Sequence, residues 1–166
     1  MRKGEKMKAT HRIIVHGLMK VNNKYLVIKR TAIKRGKPNS YPRYWDIPGG
    51  MVEAGELPRK ALLREINEEV GLDASIVKII HEDSNLDEEK DIVFTRLVYL
   101  CDVKNDDISN INLQLDEHDE YRFIDSIEEM KSEKVVEYVV DVLNSADWNF
   151  TSYKWYSRTR KRSKSN

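Results

Sequence analysis

The sequence Gly50-Met51-Val52-Glu53-Ala54-Gly55-Glu56 is followed, after seven residues, by Arg64-Glu65-Ile66-Asn67-Glu68-Glu69-Val70-Gly71-Leu72. The first part is typical of a glycine-rich loop and the second of a helix. Pro58 lies between them and marks the start of the helix, because proline fits the first helical position. Gly71 is placed to end it. The stretch therefore predicts a loop that leads into one helix of about 13 residues.

Three glutamates fall on one face of the predicted helix. Glu65, Glu68 and Glu69 are spaced i, i+3 and i+4, so at about 3.6 residues per turn they lie within about one turn of each other. Three like charges at this distance repel one another, and their hard oxygen atoms suit Mg²⁺ or Mn²⁺. The alternative is a solvated acidic helix face, supported by an i,i+4 pair between Arg64 and Glu68.

The fixed positions of this stretch resemble the signature of the Nudix hydrolase family. The matching positions are Gly50, Glu56, Arg64, Glu65, Glu68, Glu69 and Gly71, with the family's spacing between them. The preceding sequence, residues 45–49, resembles the strand that leads into this signature. The resemblance implies an α/β/α sandwich with a central mixed β-sheet, and metal-dependent hydrolysis of a diphosphate linkage. Alternating strand and helix patterns alone predict a layered α/β or α+β domain.

The resemblance also implies a set of metal ligands. Glu65, Glu68 and Glu69 would hold Mg²⁺ or Mn²⁺ together with the backbone carbonyl of Gly49. Arg64 is the one cation within the acidic run, and its planar guanidinium suits holding a glutamate such as Glu68 in one orientation. The role of Glu56, structural or linked to the metal, is left open.

A general base is expected from a second part of the chain. Many family members carry an additional acid just before the strand that corresponds here to residues 121–123. Glu117 matches this position best, Glu120 is second, and Glu65 is the alternative base. The neighbouring His118 is expected to be exposed to solvent.

Composition limits the class of protein. The 166 residues are enough for one domain with a hydrophobic core, and no apolar run approaches the roughly 20 residues of a membrane span. The first residues are basic without a following apolar segment, so no secretory signal is expected. Cys101 is the single cysteine and lies in an apolar strand pattern, which predicts a buried structural thiol. We expect a cytoplasmic protein without membrane contact.

Charge is unevenly distributed. Residues 1–12 carry five bases and one acid, residues 148–166 carry six bases and no acid, and residues 13–147 have a net charge of −9. An acidic body does not attract a polyphosphate, so metal ions are expected to supply positive charge at the site. The basic segment 29–43 is either a solvated loop or a phosphate-binding loop, with Arg30 and Arg43 as the candidate substrate contacts.

The remaining elements follow from periodicity and turn residues. Residues 1–146 are predicted to form the Nudix-like domain, and residues 147–166 an aromatic and then basic tail whose last part is disordered. The tail either packs on the domain or contacts nucleic acid weakly. The pattern predicts strands at 11–20, 24–30, 74–81, 91–103 and 121–124, a polar turn at 83–90, a capping box at Ser126 and Glu129, and a helix at 133–143.

The sequence excludes some classes of substrate but does not identify the substrate itself. Residues 85–89 lack the proline or tyrosine that often marks family members acting on ADP-ribose or dinucleoside polyphosphates. Elimination favours a nucleoside di- or triphosphate, hydrolysed to the nucleoside monophosphate. Two alternatives stay open: a pyrophosphohydrolase of RNA ends (cap or 5′-phosphate), and a regulatory domain that binds a nucleotide without hydrolysing it.

Overall fold

A computed structural model describes residues 10–103 and 108–145 of the chain. Its first two strands form the predicted hairpin, β1 (Thr10–Val21) and β2 (Lys24–Arg30). The turn between them places Asn22 and Asn23 at φ angles of 48° and 64°. Two successive positive φ angles give the tight turn whose twist matches that of the strands, and asparagine tolerates this conformation better than most residues.

One mixed sheet organises the rest of the domain. The further elements are β3 (Ile33–Lys34), β4 (Lys37–Pro38), β5 (Trp45–Asp46), β6 (Gly49–Met51), α1 (Pro58–Val70), β7 (Ala74–Asp87), β8 (Ile92–Val103), β9 (His118–Ile124) and α2 (Glu137–Asn144). The hydrogen-bonded order of the sheet is β5-β2-β1-β8-β7, with β6 also paired to β1 and β9 to β2; β1 and β8 are parallel. A separate short hairpin is formed by β3 and β4.

The sheet buries both of its faces, one under each helix. Alternate residues of a strand point to opposite faces, so Leu18 packs in the cluster that contains α2, whereas Val15 and Met19 pack in the cluster that contains α1. In β2, Val27 likewise packs in the α2 cluster, whereas Leu26 and Ile28 pack in the α1 cluster. The predicted α/β/α sandwich with a central mixed sheet is confirmed.

Helix α1 has the predicted bounds. Pro58 is its first residue, and Gly71 ends it in the left-handed conformation at φ 70°, where its N–H donates to the Asn67 carbonyl oxygen at 2.9 Å. The helix buries Leu62 and Ile66 against the sheet. The acidic face therefore lies beside the buried stripe, next to the end of β6.

Two predicted boundaries are wrong. Residues 83–87 continue β7 instead of turning, because the strand stays paired with β8 as far as Asp87 opposite Ile92. Helix α2 begins at Glu137 instead of residue 133, since Val135 bridges to Trp45 and the Val136 N–H donates to the Trp45 carbonyl oxygen at 3.0 Å. In both places sheet pairing outweighs local propensity.

Other predictions for this region are confirmed. The Ser126–Glu129 capping box is present at the start of the short 3₁₀ helix Ile127–Met130, and Cys101 is fully buried. Within residues 10–103 and 108–145, no helix is long and apolar enough to cross a membrane. The tail predicted at residues 147–166 lies outside the described residues.

Candidate active site

Two adjacent glycines bring the β6 backbone against the acidic face of α1. Gly49 has a φ of 156°, and a Cβ atom there would lie 2.1 Å from the Val15 carbonyl oxygen. A Cβ atom on Gly50 would lie 2.6 Å from the carboxylate of Glu65. Neither position accommodates a side chain without displacement, so the glycines permit the close approach of loop and helix.

This approach forms one wall of a polar cavity of about 260 Å³. Its other walls come from the β3–β4 hairpin and from the segment before β9, which are far from α1 in the sequence. Four carboxylates and three bases take part. The lining residues are Lys34, Arg35, Gly49, Gly50, Met51, Glu53, Arg64, Glu65, Glu68, Gln114 and Glu117.

Arg64 organises the carboxylates on the helix side of the cavity. Its Nε and Nη2 atoms donate to the two oxygens of Glu56, each at 3.0 Å. Its Nη1 atom donates to Glu65 at 2.8 Å and to Glu68 at 3.2 Å. The hydrogen bond to Glu56, ahead of that to Glu65, raises the pKa of Arg64 above its ordinary value. The predicted contact with Glu68 is present, and Glu56 is also a partner of this guanidinium.

Glu69 connects α1 to the glycine loop. It is only 3% exposed and accepts a hydrogen bond from the Gly49 N–H at 2.8 Å. Burial, reinforced by the charge of Glu65, raises the pKa of Glu69 well above its usual range. Among the described residues no lysine or arginine forms a salt bridge with it; the basic side chain beside it is that of His118, whose Nδ1 lies 3.8 Å away. Burial lowers the pKa of His118 to about 4, so this imidazole is neutral near pH 7.

Glu117 lies inside the cavity wall. It is 7% exposed, and its carboxylate contacts the Nζ atom of Lys34 and, at 3.3 Å, Nη2 of Arg35. The expected exposure of His118 is wrong: it is 4% exposed because β9 starts there and pairs with β2. Glu120 does not line the cavity, and instead accepts hydrogen bonds from Lys29 and Arg122.

The structure places the two predicted substrate arginines outside this cavity. Arg30 donates through Nε and Nη2 to one oxygen of Asp46, at 2.8 and 2.6 Å. Arg43 pairs with Asp119 on the exposed side of the loop. The bases that do line the cavity are Lys34 and Arg35, from the same basic segment. Residue types could not single them out, but Arg35-Gly36 is a turn signal that places both at the tip of a hairpin.

The donor chemistry of the cavity fits a hard divalent cation. Glu69 does not itself line the cavity, but its carboxylate is buried beside the lining residue Gly49. Burying it without a salt bridge to lysine or arginine among the described residues costs free energy that a bound cation would compensate. As the side chains stand, no group of three or more His, Cys, Asp or Glu residues in the described ranges could hold a metal ion. The carboxylates of the cavity are instead paired with basic side chains of the protein. Arg64 forms salt bridges with Glu65 and Glu68, and Lys34 and Arg35 form salt bridges with Glu117.

A second cavity, of about 320 Å³, lies at the α2 face of the sheet. Arg96 covers the ring of Tyr138, with its Cζ atom 3.9 Å from the centroid, and forms two hydrogen bonds with Asp83 at 2.9 and 3.0 Å. His16 links this cavity to the first, because it pairs with Gly49 across the β-sheet and its ring centroid is 5.0 Å from that of Tyr138.

Known proteins are similar to this chain in sequence and in fold. A family model described as the NUDIX domain matches residues 10–156. Three curated proteins are similar over part of their length: an ADP-ribose pyrophosphatase of Methanocaldococcus jannaschii (33% identity over 91 residues; 55% of this chain and 50% of that protein), an 8-oxo-dGTP diphosphatase of Proteus vulgaris (50% over 32 residues; 19% and 29%) and an RNA pyrophosphohydrolase of Stutzerimonas stutzeri (53% over 36 residues; 22% and 23%). The matches span half or less of each relative.

Solved structures share the fold. A MutT NUDIX hydrolase from Burkholderia pseudomallei superimposes with a TM-score of 0.67 at 19% identity, covering 82% of this chain and 98% of that one. A MutT protein from Methanosarcina mazei Go1 also gives 0.67, at 21% identity, with coverages of 89% and 100%. At these identities the likeness concerns the arrangement of strands and helices.

Proposed function

The chain belongs to the Nudix family, and we propose that it is a Mg²⁺- or Mn²⁺-dependent pyrophosphohydrolase. In the proposed reaction water cleaves a nucleoside diphosphate-X compound into a nucleoside phosphate and phosphate-X. The preferred substrate is a nucleoside di- or triphosphate, which releases the nucleoside monophosphate. The main observation behind the proposal is that Glu65 and Glu68 from α1 line the same cavity as Glu117 from a distant segment.

The ligands proposed for the cation are Glu65, Glu68, Glu69 and the carbonyl of Gly49. A bound divalent cation would neutralise charge on the leaving phosphate and make a water molecule more acidic. The Gly49 N–H holds the Glu69 carboxylate at 2.8 Å, so one glycine residue would serve the site through both of its backbone polar groups. Arg64 keeps Glu65 and Glu68 oriented toward the same volume.

Glu117 is proposed as the general base. It faces the carboxylates of α1 from the opposite wall, and its charge helps to raise the pKa of Glu65, after the larger effect of burial. Its backbone is fixed, because its carbonyl oxygen accepts from the Thr31 N–H at 2.9 Å and its N–H donates to the Gln114 carbonyl oxygen at 3.0 Å. A carboxylate carried on a fixed backbone beside the proposed metal ligands is well placed to accept a proton from water. Glu65 is the alternative base.

The nucleoside is proposed to occupy the second cavity. The guanidinium of Arg96, which covers the buried Tyr138 ring, offers a planar surface for stacking, and Asp83 offers hydrogen-bond acceptors. A chain of contacts supports this proposal, because His16 pairs with Gly49 of the glycine loop and its ring lies 5.0 Å from that of Tyr138. A nucleotide that spans the loop would then present its phosphates to the acidic cavity.

An enzyme that acts on RNA ends is the second candidate. The observations that favour it are the six bases and aromatic residues of segment 148–166 and the partial similarity to an RNA pyrophosphohydrolase. We also propose a cytoplasmic location, supported by the single cysteine, Cys101, which excludes a disulfide within the chain.

One panel of substrates tests these proposals. Purified protein is assayed with Mg²⁺, with Mn²⁺ and with chelator on nucleoside di- and triphosphates, 8-oxo-dGTP, ADP-ribose and 5′-triphosphorylated RNA. We expect metal-dependent release of a nucleoside monophosphate, and a loss of roughly 10²-fold or more in Glu69→Gln, which removes a proposed ligand charge but keeps its size. Turnover in chelator would contradict the proposal, and binding without turnover on every compound would favour the regulatory alternative.

A further inference from the structure

The β3–β4 hairpin presents two bases to the acidic cavity. Arg35 and Gly36 form its turn, with φ angles of 51° and 77°. A left-handed conformation is unfavourable for a residue other than glycine, so the conformation of Arg35 is maintained by its surroundings. The chain thereby holds Lys34 and Arg35 in the cavity wall, where both contact Glu117.

The base of the hairpin is attached to the backbone of the residue that its tip binds. Thr31 donates its N–H to the Glu117 carbonyl oxygen at 2.9 Å. The buried Asn39 closes the hairpin, donating its N–H to the Ala32 carbonyl oxygen at 3.0 Å and its side-chain amide to the Thr31 hydroxyl at 3.3 Å. These bonds do not involve the Glu117 carboxylate. The hairpin can therefore remain over the cavity when that carboxylate changes partners.

The two bases differ from Glu117 in their freedom to move. The Arg35 side chain is 74% exposed and that of Lys34 is 38% exposed, whereas that of Glu117 is 9% exposed. Reorienting the bases would disturb no hydrophobic contact of the two core clusters, which do not include them. Long basic side chains at the mouth of a cavity can thus exchange one anionic partner for another.

The charges of the cavity are nearly balanced without any ligand. Lys34, Arg35 and Arg64 face the carboxylates of Glu53, Glu65, Glu68 and Glu117. A divalent cation entering alone meets the two hairpin bases, and a polyphosphate entering alone meets four carboxylates. Each ligand would reduce the repulsion that the other experiences, so their binding should be coupled.

We propose that Lys34 and Arg35 form an exchangeable clamp. In the free protein the clamp neutralises Glu117; when Glu117 turns toward a divalent cation, the clamp binds phosphate oxygens of the substrate. This inference rests on the proposed function, because it assumes that the cavity takes a cation together with a phosphorylated compound. It assigns to Lys34 and Arg35 the phosphate contact that the sequence suggested for Arg30 and Arg43.

The clamp predicts that loss of either base changes the affinity for Mn²⁺ and the affinity for a phosphate ligand in opposite directions. Removing either base should tighten binding of Mn²⁺ to the free protein, because a competing cation is removed from Glu117. The same change should weaken binding of a phosphate ligand, because it eliminates a charge-assisted hydrogen bond. A role confined to supporting the fold would lower the melting temperature and would not move the two affinities in opposite directions.

Two variants and one control separate these outcomes. Lys34→Met keeps the length of the side chain without its charge, and Arg35→Asn uses a residue that tolerates the left-handed conformation. Lys37→Met is the matched control, because Lys37 lies opposite Lys34 in the hairpin but does not line the cavity. Mn²⁺ affinity is measured by electron paramagnetic resonance on the free protein, and imidodiphosphate affinity by calorimetry in saturating Mg²⁺.

For each clamp variant we expect Mn²⁺ to bind several-fold more tightly and imidodiphosphate about tenfold more weakly, while Lys37→Met resembles the wild type. Equal affinities in variant and wild type, or two affinities that shift in the same direction, would overturn the clamp. If one variant does not fold, the other carries the same test. Because no turnover is measured, the clamp can fail while the panel of substrates succeeds, and the reverse also holds.

Discussion

Gly49 and Gly50 are neighbours with different reasons for lacking a side chain. A Cβ atom on Gly49 would collide with backbone atoms of Val15 and His16, which cannot move without breaking β1 from β6. A Cβ atom on Gly50 would collide with the carboxylate of Glu65, the far end of a flexible side chain. The first glycine is therefore needed by the fold, and the second by the position of one proposed metal ligand.

Gly50→Ala should separate activity from stability. We expect the free energy of unfolding to change by less than about 1 kcal/mol, because Glu65 can rotate away. Turnover should fall by on the order of 10²-fold, since a displacement of about 1 Å of a catalytic group has that effect. Urea denaturation and steady-state kinetics measure the two quantities. Gly49→Ala, in contrast, should fail to fold stably. Wild-type activity in Gly50→Ala would contradict the assignment of Glu65 to the site.

Glu117 and Glu120 provide a second comparison between nearby residues. Glu117→Gln should lose at least about tenfold in rate, at the low edge of what a general base contributes, because the residue faces the proposed metal ligands. Glu120→Gln should stay near the wild-type rate, because its partners Lys29 and Arg122 lie outside the cavity. The reverse result would move the role to Glu120. Two unaffected rates would leave Glu65 as the base.

Single positions were predictable where local geometry decides them. The spacing of Glu65, Glu68 and Glu69 follows from the helical period, and the structure has all three on α1 as predicted. The burial of His118 and the pairing of Arg30 with Asp46 were not predictable, because both depend on which strands become neighbours. Lys34 and Arg35 were missed for the same reason, since only the fold places their hairpin opposite α1.

The strand pair β2–β5 is fastened by a buried ion pair. Asp46 is 1% exposed, receives two hydrogen bonds from Arg30, and is contacted by the Tyr138 hydroxyl of α2. Burial opposes its ionisation, but His16, Arg30 and the Tyr138 hydrogen bond together hold the pKa of Asp46 below its usual value. One carboxylate thereby connects two strands with the helix that covers them.

Asp46→Asn should destabilise the protein by roughly 3–5 kcal/mol near pH 7, because it leaves the guanidinium of Arg30 without a counter-charge. The sign of the pH dependence follows from the lowered pKa. The carboxylate contributes stability above about pH 4, and this contribution is lost as the pH falls through the folded-state pKa. The difference in unfolding free energy between wild type and variant should therefore shrink in acid.

Urea denaturation at several pH values measures this difference. Asp125→Asn is the control, because Asp125 pairs with Lys24 on the surface, and exposed pairs contribute at most about 1 kcal/mol. Equal effects of the two substitutions would show that the Asp46–Arg30 pair does not fasten the sheet. If Arg30 instead binds substrate, Arg30→Met should raise KM without lowering the melting temperature.

The lengths of helices and strands were predictable only where the element ends at a residue with a strong backbone preference of its own. Pro58 and Gly71 bound α1 through their own backbone preferences, and Asn22-Asn23 does the same for the first hairpin. β7 carries no such terminator at residue 83, so it extends for as long as β8 offers partners. α2 starts late because residues 135 and 136 are taken into sheet contacts with Trp45.

Across the described residues, few ionisable groups enter the core, and the carboxylates that are buried are those of Asp46, Glu69 and Glu117. The two faces of the sheet bury apolar clusters beneath α1 and α2, and the ionisable groups of the site gather where the glycine loop meets α1. The bases of residues 148–166 are added to a body with a net charge of −9. This segment, like residues 1–12 and the basic segment 29–43, therefore carries positive charge that could attract a polyanion.

A protein that ends at residue 146 tests both the domain boundary and the second candidate function. The described elements are complete by Asn144, so we expect the shortened protein to fold and to hydrolyse small nucleotides within about twofold of the full chain.

RNA binding should weaken in the shortened protein and should depend less on salt. The slope of log affinity against log salt falls by about 0.7 for every phosphate of a single strand that the protein no longer neutralises. Titrations at several salt concentrations measure this slope for both proteins. An RNA enzyme should lose RNA affinity and salt dependence on truncation while keeping its hydrolysis of mononucleotides. Loss of folding would instead place residues 147–156, which the family model also matches, within the domain.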